Sequence, residues 1–188
     1  MSQIKDIFSK FPVIELDEEY ILREQTIDDA ESFYKYYTDP KVSKYILSYM
    51  PVSVEDAKEE VKYWIDYFKH KKGVYWGIAK KDNNELIGSI GFTHWIKQYN
   101  RAELSYDLAK EYWNKGIMTK AIKKVLKFGF EEMGLNRIQC FMIKNNPASE
   151  RILLKRGFVK EGILRQDRFS KGEYWDVNVY ALLKKDYE

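Results

Sequence analysis

Residues 102–121, AELSYDLAKEYWNKGIMTKA, constrain this chain more than any other stretch. Positions 102–108 alternate apolar and polar, the period of a strand with one face buried. A short polar turn follows, and the chain enters a helix through Trp113, Asn114, Lys115, Gly116, Ile117, Met118 and Thr119. A strand that runs straight into a helix leaves the first turn's N–H groups without intrahelical partners. Those donors and the positive end of the helix dipole suit phosphate oxygens. Gly116 removes side-chain bulk where a ligand would have to approach the backbone. Two readings stand side by side: an anion site, or a strand-to-helix junction in which the glycine serves packing.

The rest of the chain arranges itself around that junction. Residues 1–15 read as a lead-in without a strong period, and 20–24 alternate as a first strand. Thr26 or Asp28 then offers a helix cap, and Asp39-Pro40 stops that helix. Residues 41–50 read as a loop or short helix. Ser53 opens a second helix, to about residue 71, with Ala57, Val61, Trp64, Ile65 and Phe68 on one face and Gly73 closing it. Strands are predicted over 74–80 and 85–95, joined by an Asp82-Asn83-Asn84 turn. Gly88 and Gly91 inside the latter point to a bulge or a close backbone approach. The fourth strand is 102–108, and the helix after Gly116 runs to about 133. Met118, Ile122, Val125, Leu126 and Met133 form its buried stripe, and lysines cover the remainder. A fifth strand spans 137–144. Asn146 is placed as a helix cap with Pro147 at the first helical position. Two final strands, 159–166 and 174–183, turn at Lys171-Gly172.

This is a mixed α/β pattern of a length that fits one domain, residues 1–188, able to bury a sizeable core. Net charge is +3, too small to argue for a nucleic-acid partner. No apolar run approaches the length of a bilayer span, and the first residues lack the pattern of a cleavable leader. A single cysteine, Cys140, rules out an internal disulfide and fits a reducing compartment. Two histidines without companion thiolates make a structural zinc site an unsupported reading, so no metal is expected. Together these features describe a cytoplasmic, soluble domain with no membrane partner.

The W-x-K-G-x-M-T block resembles the coenzyme A pyrophosphate loop of the GNAT acetyltransferases, in the version of the RimJ/RimL-like branch that modifies ribosomal proteins. Gly116 keeps that loop's central glycine, whereas Trp113 and Met118 depart from its outer positions. A second block, Asn146-x-x-Ser149 followed by L-x-K-x-G-F, resembles the family's other coenzyme-binding element. The resemblance runs from about residue 20 to 187. It implies a GNAT-like fold: a central, mostly antiparallel sheet whose fourth and fifth strands splay apart around the coenzyme arm. It also implies acetyl-CoA as cosubstrate, bound by Leu108, Trp113, Asn114, Lys115, Gly116, Ile117, Met118, Thr119, Asn146 and Ser149.

The implied reaction carries an acetyl group to an amine, which requires a base, a polarised thioester carbonyl and a departing thiolate. Glu103 lies on the strand face opposite Ala102 and Leu104 and is the candidate base, acting through water; its other reading is a surface or ion-paired glutamate. A backbone N–H near Leu108 would serve the carbonyl. Many relatives place a tyrosine acid where this chain has Leu153, so Ser149 is the candidate group beside the sulfur, as acid or as a pantetheine contact. The branch implies a protein or peptide N-terminal α-amine as acceptor. Small amines such as polyamines or antibiotics, and a silent acetyl-CoA-binding module, are the competing readings. Tyr45, Tyr49, Trp64, Trp95 and Tyr99 make the expected acceptor side aromatic, and the aromatic content also permits a homo-oligomer.

Overall fold

The fold is seen in a computed structural model that describes residues 6–187; the first five residues of the expected lead-in lie outside it. Ile14–Glu15 (β1) and Tyr20–Arg23 (β2) precede the helices Ala30–Tyr37 (α1), Pro40–Ser43 (α2) and Val54–Lys69 (α3). Val74–Lys80 (β3), Leu86–Ile96 (β4) and Arg101–Leu108 (β5) follow as a meander. Ile117–Glu131 (α4) leads into Arg137–Ile143 (β6), and Pro147–Lys155 (α5) into the hairpin Val159–Ser170 (β7) and Glu173–Leu183 (β8). These strands form one sheet in the order β1-β2-β3-β4-β5-β6-β8-β7. Only β5 and β6 run parallel; the other neighbours are antiparallel. A parallel pair needs a crossover, and α4 supplies it.

Both sheet faces are covered. Ile117, Ile122, Leu126 and Phe130 of α4 lie against Trp76, Ile90, Phe92 and Leu104. On the opposite face Phe33, Tyr36 and Tyr37 of α1 pack with Ala57 and Val61 of α3 and with Leu86. Burying each such side chain contributes about 1.5–3 kcal/mol relative to leaving it in water. The strands carry apolar residues on both faces for this reason, and β3 is buried along nearly its whole length.

Local chemistry sets most boundaries where the sequence puts them, with three corrections. The helix expected to begin at Thr26 or Asp28 starts as a short 3-10 turn, Ile27–Asp29, before α1 proper. α3 ends at Lys69, and the left-handed residue beyond it is Lys71 (φ 56°), not Gly73. Gly73 is needed for space: a Cβ there would stand 2.5 Å from the Phe92 carbonyl oxygen. β7 continues to Ser170 rather than ending near residue 166, passing through a register break with Gln166 at φ 52°. Close approach also accounts for Gly91, whose added Cβ would meet the Val74 carbonyl oxygen at 2.4 Å.

The expected splay is present. β5 and β6 pair only at Arg101↔Arg137, Ala102↔Ile138 and Glu103↔Gln139, and from Leu104 onward they part. β5 continues to pair with β4 as far as Leu108, and β6 with β8 as far as Ile143. The gap therefore has a rigid strand on each side.

Candidate active site

A cleft of about 850 Å³ opens where β5 and β6 separate. Two helix starts face it. At the first, Asn114 (φ 60°) and Gly116 (φ 76°) turn the chain so that α4 begins at Ile117. The first helical bond runs from Lys120 N–H to Gly116 O (3.0 Å), so the amides of Ile117, Met118 and Thr119 have no intrahelical acceptor. Nothing lies within 4 Å of where a Gly116 Cβ would be, so the space in front of those amides is open. Trp113 ties the turn to the strand by donating its indole N–H to Leu108 O (2.8 Å). Trp113, Asn114, Gly116, Ile117, Met118 and Thr119 all stand on the cleft wall. Lys115 does not; its ammonium lies 5.2 Å above the Tyr112 ring.

At the second helix start, Asn146 Oδ1 accepts the Ser149 N–H (3.2 Å), the expected cap of α5. Asn146 and Ser149 both reach the cleft. Leu153 is fully buried in the core, with no reach into the cleft. Along β5, Ala109 donates its N–H to Ile87 O (2.8 Å) on the β4 side. Alternation along the strand then turns the Leu108 amide toward the gap, in keeping with its carbonyl being taken by Trp113.

The same alternation sends Glu103, Ser105 and Asp107 to the α1/α3 side. Glu103 Oε2 lies 3.4 Å from His94 Nδ1, with the glutamate side chain 18% exposed and the histidine 76%. Burial raises the Glu103 pKa above its ordinary value, and the charges of His94 and Arg168 hold it down only in part. His94 itself sits at φ 47°, inside the irregular end of β4. Asp107 accepts from Tyr36 OH and Ser89 Oγ, both at 2.7 Å. Burial nevertheless pushes its pKa up to about 6, because those hydroxyls offset desolvation only partly. Glu60 of α3 accepts from Trp64 Nε1 (2.9 Å) and is likewise raised by burial. Trp64 stacks on Tyr75 at 3.9 Å, and with Tyr37 and Tyr45 makes this end of the cleft aromatic.

Of the residues expected on the acceptor side, Tyr45 and Trp64 line the cleft. Trp95 packs beside Phe8 instead, and Tyr49 and Tyr99 point to solvent. Asp107, His94, Tyr75 and Tyr106 are cleft residues that inspection of motifs misses. The period-2 pattern that singles out Glu103 also contains Asp107, so that one signal was available. Among the described residues no three His, Cys, Asp or Glu side chains gather as a metal site requires, and no helix is long and apolar enough to cross a membrane.

An arrangement with open amides at one end, a backbone donor in the middle and raised-pKa carboxylates beyond can hold an anion and move a proton within one cleft. Comparison with known proteins gives that arrangement a family context. Residues 20–159 match the family model described as "Acetyltransferase (GNAT) domain". The uncharacterized N-acetyltransferase YoaA of Bacillus subtilis (strain 168) is 38% identical over 174 residues, covering 93% of this chain and 98% of the relative. The ribosomal-protein-serine acetyltransferase of Escherichia coli (strain K12) is 33% identical over 133 residues, 69% of this chain and 71% of the relative. A solved structure titled "Crystal structure of Probable acetyltransferase" superposes with a TM-score of 0.84 at 26% identity, covering 94% of this chain and 99% of that one.

Proposed function

The chain belongs to the GNAT acetyltransferase family, and from that premise we propose that it transfers the acetyl group of acetyl-CoA to a protein or peptide N-terminal α-amine, directly within a ternary complex in the cytoplasm. One observation carries this reading: both helix starts, at Gly116 and at Asn146, face the gap left by the parting of β5 and β6. A pyrophosphate fits the open amides of Ile117, Met118 and Thr119, with Trp113, Asn114 and Lys115 shaping the loop around it. The pantetheine arm lies along the free edge of β5, past Asn146 and Ser149. The Leu108 amide is placed to donate to the thioester carbonyl oxygen, where negative charge develops.

Glu103 takes the proton that the attacking amine gives up, through an intervening water. Burial raises its pKa and makes it a stronger base than an ordinary carboxylate. An α-amine, with a pKa of about 8, is a less demanding acceptor than a lysine side chain at about 10.4. Ser149 stands at the sulfur end of the arm.

A small cationic amine is the second reading, and a specific observation favours it. Asp107 and Glu60 are carboxylates on the cleft wall whose hydrogen bonds come from neutral donors, Tyr36, Ser89 and Trp64. Neither has a cation partner among the ion pairs of the described residues. A ligand ammonium would be stabilised there.

The experiment is acceptor-dependent release of coenzyme A thiol from acetyl-CoA, with N-terminal peptides of ribosomal proteins run beside polyamines and small amine drugs. Release with peptides and not with small amines supports the principal reading. The reverse supports the second. Tight acetyl-CoA binding without release for any acceptor would sink both and leave a silent binding module.

A further inference from the structure

Tyr106 carries a phenol that the reading above leaves without a task. Its ring leans on the α4-side core, on the strand face it shares with Leu104 and Leu108. Its oxygen is buried and has no hydrogen-bond partner. Five other buried polar atoms share that condition among the described residues: Gln25 Nε2, Trp95 Nε1, Arg101 Nε, Arg156 Nε and Asn178 Oδ1. None of those five residues touches the cleft, whereas Tyr106 does. A buried hydroxyl without a partner is held against the full cost of its desolvation, and phenylalanine would fill the same space without that cost. The position is therefore explained by a partner that arrives with a ligand.

The surroundings say which atom of the ligand that is. The Ser149 hydroxyl, at the start of α5, lies beside the phenol without meeting it in bonding geometry, and Cys140 of β6 lines the same cleft near it. Tyr106 thus stands at the sulfur end of the arm, away from the carboxylates of the α1/α3 face. Burial holds the phenol protonated far above its ordinary range, with the nearby Cys140 adding to the effect and Ser149 opposing it. A group in that state is a lasting hydrogen-bond donor and a poor source of a free proton.

We propose that Tyr106 is a catalytic residue whose phenol donates a hydrogen bond to the thioester sulfur and stabilises the thiolate as it departs. This rests on the acetyl-CoA reading given above. The amine nitrogen bonds to the carbonyl carbon, the carbon–sulfur bond breaks, and its electron pair stays on sulfur against the phenol O–H. The amine's proton leaves through Glu103 to solvent, the thiolate takes a proton from solvent on release, and the phenol keeps its own. Leu153 leaves the helix α5 without a tyrosine, and the neighbouring strand supplies one from the opposite wall of the gap.

The test uses Tyr106→Phe and Ser149→Ala in the full chain. The first readout is binding of coenzyme A, followed by titration of the bound thiol through the ultraviolet absorbance of its thiolate. The expected result for Tyr106→Phe is a bound-thiol pKa raised by about one unit, the size of a lost hydrogen bond to the charged form. The acetyl-CoA dissociation constant should change little, and kcat should fall on the order of 100-fold, the usual effect of removing one donor to a developing charge. The melting temperature should hold or rise, because no protein–protein hydrogen bond is lost. An unchanged thiol pKa and kcat in Tyr106→Phe, with wild type binding and turning over, overturns the inference alone. A shift seen in Ser149→Ala and not in Tyr106→Phe overturns it in favour of the serine. Failure of wild type to bind coenzyme A removes the acetyl-CoA reading, and this inference goes with it.

Discussion

Asp107 shows what one residue can contribute and withhold. Its folded pKa of about 6 lies above the ordinary aspartate value of 3.8, so the folded state binds the proton more tightly than the unfolded chain does. The stability this confers is fully present below pH 3.8 and is lost as pH rises through about 6. Two units correspond to about 3 kcal/mol, and partial access from the cleft reduces that to about 1–3 kcal/mol. Asp107→Asn should therefore gain stability relative to wild type as pH rises from 4 to 7, in urea titrations at each pH. A constant difference across that range would show that the carboxylate is already solvated. Glu103 makes a kinetic counterpart: a base must be ionised, and its pKa is raised. The acid limb of the wild-type rate should lie above the ordinary carboxylate range, and Glu103→Gln should lose that limb with a fall in kcat of about 100-fold or more. A variant that keeps both rate and limb would return Glu103 to the role of ion-pair partner for His94. Glu103 is legible in sequence because alternation sets it opposite Ala102 and Leu104. Tyr106 is not, because an unpartnered hydroxyl is a property of the packed state.

At the level of elements, the two helix starts were the most legible features of the chain. Asn146-Pro147 and Gly116 specify their conformations through local chemistry: a side-chain acceptor, a fixed φ and a positive φ, none of which needs distant residues. Gly116→Ala separates structure from binding. With no atom near the added Cβ, the stability cost is that of left-handed backbone alone, about 1 kcal/mol. The methyl would nonetheless stand before the open amides, so the acetyl-CoA KM should rise about 10-fold or more while thermal stability falls only slightly. Equal KM values would remove the phosphate from this helix start. Asn146→Ala deletes the acceptor of the Ser149 N–H and should cost about 1 kcal/mol in chemical denaturation. The length of β7 was misread because its register break at residues 164–168 is held by a contact from the next strand. Asp176 Oδ1 accepts the Gln166 N–H at 3.0 Å, and no local signal announces that.

For the whole molecule, the divergence of β5 and β6 leaves strand edges that a ligand would join. A ligand bound only to the folded state stabilises it by about 2.7 kcal/mol at a concentration of 100 times its dissociation constant. For a chain of this size that is a rise in Tm of about 5–10 °C, measurable by scanning fluorimetry with acetyl-CoA. No rise at saturating concentration would contradict the placement of the arm between the strands. Sequence by itself determined the order of the main strands and helices from Tyr20 onward, the two caps and the family, since period, capping and turn chemistry act over a few residues. Ile14–Glu15, read as lead-in, is a strand only through its pairing with β2. Tertiary structure alone decided which side chains share the cleft. Asp107 meets Tyr36 across 71 positions of chain, and Tyr106 and Ser149 line the same cleft only because β5 and α5 close on one gap. Burial, which raises both carboxylates and isolates the phenol, exists only after those distant segments exclude water.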